Sequence, residues 1–211
     1  MFLNLNYKAA ERGFTLIEVL VTMIIIMVGL LGVLGLQTKA TSTEFESYQR
    51  GQALGLAREM ASRLFTARGD ITDYVADPLV TSTNGSVSVG YGDEAQDCDG
   101  LSAARTNLCQ WGQLLQGSAA SEGARSVGAM IGARGCLIRA TPAEGNALAD
   151  IYVVVVWQGI VRGSEPPADS PAAKCASGVN FGAELRRGLS MRVLVPNLQK
   201  DSAAGGPVYT E

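Results

Sequence analysis

The stretch GFTLIEVLVTMIIIMVGLLGVLGL, Gly13 to Leu36, holds a single charged residue, Glu18. From Phe14 to Leu36 it supplies 23 residues, about 35 Å of α-helix, against a bilayer hydrocarbon core of about 30 Å. The run is therefore long enough to span a membrane. A carboxylate inside such a helix costs about 2.5 to 3.5 kcal/mol near the bilayer centre, so Glu18 calls for a partner.

Lys8 and Arg12 precede the run and the next basic residue is Lys39, so the excess of positive charge places the short leader in the cytoplasm and the rest of the chain outside. A secretory signal carries its cleavage site after the apolar region, whereas here the polar leader ends at Arg12-Gly13, directly before it. Beyond Leu36 the pattern turns amphipathic. From Lys39 to Phe65, Tyr48, Gly51, Leu54, Ala57, Ala61, Leu64 and Phe65 recur at three- and four-residue steps, with most charges elsewhere. Arg68 followed by Gly69 reads as a helix stop. The spacing predicts one helix from Phe14 to Arg68, roughly 80 Å long, with one side of its second half packed on a globular domain.

Composition narrows the chemistry. The chain of 211 residues contains no histidine, which removes the usual general base, the Ser-His and Cys-His nucleophile pairs and the commonest zinc ligand. A net charge of −3 with no Lys/Arg cluster gives no footprint for nucleic acid, and no binding to it is expected. No metal site or cofactor is expected either. Cys98, Cys109, Cys136 and Cys175 lie too far apart for metal knuckles, and beyond the apolar run their even number reads as two disulfides in an oxidising compartment.

The region after Gly69 reads as a small α+β domain. Val80 to Val89 alternates around Asn84-Gly85, a hairpin signal. Gly92 to Gly100 gathers acids without the spacing of a calcium loop and reads as a solvated loop. Ser102 to Gln116 is a short second helix with Ala104, Leu108, Trp111 and Leu115 on one stripe and Gly117 as its stop. Gly117 to Gly135, rich in Gly, Ala and Ser, is read as a loop. Cys136 to Ala140, Ile151 to Trp157 and Leu189 to Val195 are strand candidates, expected as an antiparallel meander against the long helix. The connection Gln158 to Gly188, with three prolines, is too long to run free in a compact domain. A bridge from Cys136 to Cys175 would tie it to the sheet. That pairing is favoured, with Cys98 to Cys109, among the three that four cysteines allow.

Gly13-Phe14-Thr15-Leu16-Ile17-Glu18 before an apolar helix resembles the class III signal of type IV prepilins and pseudopilins. The resemblance implies cleavage by a prepilin peptidase between Gly13 and Phe14, N-methylation of the new Phe14 amine, and retention of the apolar helix as the first half of a spine. It also implies a partner for Glu18, the cationic amine of a neighbouring subunit during filament assembly. The Trp-bearing second helix, Gly-rich segment and the strands CLIRA and DIYVVVVWQG resemble the type IV pilus modification proteins, the PilV kind of minor pilin.

These resemblances imply a pilin-like α+β fold: a long spine helix on a small antiparallel sheet with a short second helix. They imply a structural subunit, not an enzyme, that helps prime or cap type IV pili in biogenesis, twitching motility and adhesion. The implied partners are other minor pilins, the major pilin, an inner-membrane assembly platform and inner-membrane lipid. Location would be single-pass in the inner membrane with a periplasmic C-terminal domain, then the pilus. The division is residues 1–13 as leader, 14–36 as the membrane half of the spine, 37–68 as its amphipathic half, 69–196 as the periplasmic domain and 197–211 as a flexible tail. Two other readings stand beside this one. A minor pseudopilin of a type II secretion system shares the N-terminal motif, and a membrane-anchored periplasmic enzyme would need carboxylate or Ser-Lys chemistry.

Overall fold

The computed structural model describes residues 13–67, 71, 74, 89–90, 98–118, 121–122, 125–126, 130–140 and 147–196. Its elements in chain order are α1 (Leu16–Thr66), β1 (Val89–Gly90), α2 (Ala103–Leu115), β2 (Ser121–Glu122), β3 (Arg125–Ser126), β4 (Arg134–Arg139), β5 (Ala147–Gln158), α3 (Pro171–Lys174) and β6 (Arg186–Pro196). The chain divides into two compact units, Met1–Glu44 and Phe45–Glu211, and α1 contributes to both.

In the first unit every described side chain from Phe14 to Leu36 is exposed. The helix there is held by its own backbone, and its hydroxyls turn inward onto it. Thr22 donates to the Val19 carbonyl at 2.9 Å, and Thr38, Thr41, Ser42 and Thr43 each donate to the carbonyl four residues back at 3.0 to 3.1 Å.

In the second unit α1 buries Gln49, Ala53, Ala57, Met60, Ala61 and Leu64. This stripe is rotated from the expected one: Ala57, Ala61 and Leu64 lie on it, Leu54 is half-buried, and Tyr48, Gly51 and Phe65 face outward. The reason is size. Ala53, Ala57 and Ala61 recur every four residues, and a face of methyl groups lets a helix lie closer to a sheet than one carrying Tyr and Phe.

The sheet is antiparallel in the order β1-β4-β5-β6. Its strands run further than expected, because Ala147–Asp150 and Arg186–Gly188 extend the ladder with small or polar residues that composition alone does not mark as strand. The stretch Gly117 to Gly135 is not wholly loop either. Ser121 pairs with Ser126 and Glu122 with Arg125 in a two-stranded ribbon, since backbone pairing needs no apolar side chains. α2 follows expectation: Ser102 caps its start, and Gly117, at φ +88°, closes its end with bonds from Gly117 N–H to Leu114 and Ser118 N–H to Gln113.

Both faces of the sheet are covered, which accounts for the unbroken apolar run in β5. Along a strand, side chains alternate in direction. Ile151, Val153, Val155 and Trp157 join Leu137, Val193 and Val195 in the core formed with α1 and α2. Val154 and Val156 point the other way and, with Cys136 and Ile138, pack under Ala172, Cys175, Ala176 and Phe181 of the β5–β6 connection. A meander packed only on the long helix would leave that second face wet; the connection covers it. Trp111 is fully buried over Gly135, where a Cβ would stand 2.3 Å from the indole, and its Nε1 donates to the Leu56 carbonyl at 3.0 Å. The whole is an α+β, pilin-like arrangement. The hairpin at Asn84-Gly85, the stop at Gly69, the acids from Gly92 to Asp97, the leader before Gly13 and the tail from Asn197 lie outside the described residues.

Candidate functional site

Gly13, Phe14 and Thr15 precede the helix as non-helical chain, and α1 begins at Leu16. Among the described residues other than its chain neighbours, no atom stands within 4 Å of where a Gly13 Cβ would project, and Phe14 is 83% exposed. The described side of this junction, Gly13 to Thr15, is thus exposed and lies ahead of the helix. Thr15 caps the helix: its Oγ1 accepts from the Glu18 N–H at 3.3 Å, and its carbonyl accepts from the same N–H at 3.1 Å. Thr15-Leu16-Ile17-Glu18 has the T-x-x-E spacing of a capping box, with an acid in the first turn where the helix end is positive.

This short segment sits at the end of a helix whose most apolar window has a mean hydropathy of 2.8 and is 0% buried. Among the described residues this is the one helix long and apolar enough to cross a membrane. An exposed face of that size is stable only against lipid or against other apolar helices.

All four cysteines are paired, Cys98 with Cys109 and Cys136 with Cys175. The first bridge joins α2 to the residues ahead of it. The second joins β4 to the connection over the second sheet face. Sequence reasoning marked these cysteines but missed the polar anchors around them. The Arg186 guanidinium lies among the carbonyls that end α3, with its Cζ 5.0 Å from the Phe181 ring centroid. Burial draws its pKa below the ordinary arginine value, and the Glu165 charge works against that shift.

Its neighbour Arg187 donates to Glu46 Oε1 at 3.3 Å and to the Val161 carbonyl at 2.6 Å, while the Val161 N–H donates to the same carboxylate, so α1 is tied to the connection. Asp150, 1% exposed, receives a two-pronged pair from Arg192 at 3.1 and 2.7 Å. The one sequence signal for these anchors was Asp150 itself, a carboxylate set within ALADIYVVVVW that demands a cation. A cleft of about 270 Å³ between the connection and β6 includes Glu165, Arg187 and Ser190 in its wall. Its arginine is already engaged.

Residues 8–34 match the family model described as the prokaryotic N-terminal methylation motif. No curated protein and no solved structure is matched by the chain. The motif match, the long apolar helix and the α+β domain together support a protein of the type IV pilin or pseudopilin class, and the motif implies processing by prepilin peptidase and assembly with other pilins.

Proposed function

We propose that this chain is a minor pilin, a structural subunit that helps prime or cap type IV pilus assembly. The observation that carries the reading is the match of residues 8–34 to the N-terminal methylation motif, with the Gly13–Phe14 junction one turn before Glu18 at the head of a long apolar helix. Cleavage at that junction leaves Phe14 as an N-methylated terminus beside a helix start, and the apolar half of α1 holds the subunit in the inner membrane before assembly. The domain from about residue 69 onward is then periplasmic. Glu18 attracts the terminal amine of an adjoining subunit, a charge pair that offsets the burial cost of each partner in low dielectric. Other minor pilins and the major pilin are the neighbours, and an inner-membrane platform drives extrusion.

Mass spectrometry of membrane-extracted protein is expected to show methylated Phe14 as the first residue, with Gly13→Val retaining the leader. An intact leader in cells with active prepilin peptidase overturns the assignment. Deletion of the gene is expected to reduce surface pili while leaving type II secretion intact. The opposite pattern would make the chain a pseudopilin.

A further inference from the structure

Cys136 and Arg186 lie on the same face of the sheet. Cys136 is in register with Val154 of β5, Val154 with Ser190 of β6, and Arg186 with Gln158, two side-chain repeats further along that face. Residues 172–176 are strung between these two points. At one, Cys175 is bonded to Cys136. At the other, Arg186 Nη2 donates to the carbonyls of Ala172 at 3.2 Å, Ala173 at 3.3 Å and Cys175, and Nη1 donates to Ala176 at 3.5 Å.

The carbonyls of Ala172, Ala173 and Cys175 are ones that a helix end leaves without intrahelical partners, that of Ala176 also accepts from the Val179 N–H, and the planar fork of arginine can reach several at once. Ala176 stands at φ +50°, a left-handed conformation that is unfavourable for an alanine and persists only where its surroundings hold it. None of the Arg186 contacts involves sulfur. The cradle can therefore form before the bridge does.

We propose that Arg186 is the positioning residue for the oxidative pairing of Cys136 with Cys175: by gripping the carbonyls of residues 172–176 it sets the Cys175 thiol against β4 and speeds closure of this bridge. The oxidant is a disulfide of the glutathione or dithiol-oxidase class. One protein thiolate attacks it, forming a mixed disulfide and releasing a thiol. The second protein thiolate then attacks the mixed disulfide, closing the S–S bond and releasing the second thiol. Two electrons pass to the oxidant and two protons end on its thiols. The inference does not depend on the pilin reading.

The test starts from the full chain in detergent, denatured and reduced, then returned to native buffer with reduced and oxidised glutathione, with peptide mapping over time. In Arg186→Ala the Cys136–Cys175 bridge is expected to close at least about tenfold more slowly, the factor for about 1.4 kcal/mol of lost preorganisation. Cys98–Cys109 is expected to close at the wild-type rate, with Cys136 and Cys175 accumulating as glutathione adducts. Arg186→Lys, which keeps the charge but not the fork, is expected to be intermediate. Arg187→Ala loosens the same connection elsewhere and is expected to stay near wild type. Equal closure in Arg186→Ala and wild type overturns the proposal. So does equal slowing of both bridges, or equal slowing in Arg187→Ala, because Arg186 would then support the domain as a whole rather than the pairing.

Discussion

Between Phe14 and Leu36, α1 exposes every side chain, and beyond it, to Thr43, the hydroxyls fold back onto helix carbonyls; between Gln49 and Leu64 the same helix buries six residues against a sheet and a second helix. The first half is specified by local chemistry. Its residues need only be apolar and helical, because what will surround them comes from outside the chain. The second half is specified by distant partners: Trp111 reaches the Leu56 carbonyl from 55 residues away, and Glu46 meets Arg187 across 141. A substitution in the second half should therefore register in the domain's own stability, and one in the first half should register only in membrane or filament. The variants below are ordered by expected effect on unfolding of the detergent-solubilised full chain.

The largest loss is expected from Cys136→Ser with Cys175→Ser. The bridge closes a span of 39 residues, for which the chain-entropy model gives about 4 kcal/mol. Denaturant titration checks it, and a loss below about 1 kcal/mol would mean that the contacts around Arg186 and Phe181 already hold the connection without the bridge.

Next comes the Asp150–Arg192 pair, which makes an asymmetric prediction. The Asp150 side chain is 0% exposed and that of Arg192 is 37% exposed. Arg192→Ala strands a buried carboxylate and should cost about 3 kcal/mol. Asp150→Asn leaves a guanidinium already within reach of water, so it should cost less than half as much. Equal costs would show that burial does not set the energetics of this pair.

Gly135→Ala should cost about 2 kcal/mol, because a methyl placed 2.3 Å from the Trp111 ring forces the indole or β4 to shift. The variant also tests how close the sheet and α2 stand. Near-UV circular dichroism should report the displaced tryptophan, and an unchanged spectrum with unchanged stability would mean that the layer yields more easily than its packing implies.

The same contrast explains what the sequence made legible. The span of α1 and the stop of α2 at Gly117 were readable because each is fixed by neighbours a few residues away. Strand cores were readable from their β-branched runs, but their ends were not, since Arg186–Gly188 and Ala147–Asp150 join the ladder by pairing rather than by composition. The stripe on α1 was misplaced by a fraction of a turn. Periodicity weighs Tyr48 and Phe65 as apolar, whereas close approach to a sheet favours Ala53 and Ala57. Glu46, Arg187 and Arg192 carried no local sign of their roles, because each role belongs to a pair separated by at least 42 residues.

The smallest effect on the domain, and the sharpest test of the contrast, is expected at Glu18. It lies in the unit ending at Glu44, remote in sequence from the buried core that starts at Gln49. Glu18→Ala removes a carboxylate from an apolar helix, which makes the span more favourable in lipid. It keeps the N–H that bonds to Thr15 Oγ1. Unfolding of the domain, leader cleavage and membrane insertion should match wild type, while recovery of the subunit in sheared pili and crosslinking to other pilins should fall. Glu18→Asp retains the charge with a shorter reach and should be intermediate. Thr15→Ala separates the two roles available to this turn: it deletes the cap, worth about 1 kcal/mol at a helix start, and leaves the carboxylate in place. If the carboxylate acts on a neighbouring amine, Thr15→Ala assembles nearly as wild type and Glu18→Ala does not. If both fall together, Glu18 acts by holding the helix start in shape. Wild-type incorporation of Glu18→Ala would mean that this subunit enters the filament with no partner amine for Glu18, the arrangement expected of a subunit that stands first at the tip.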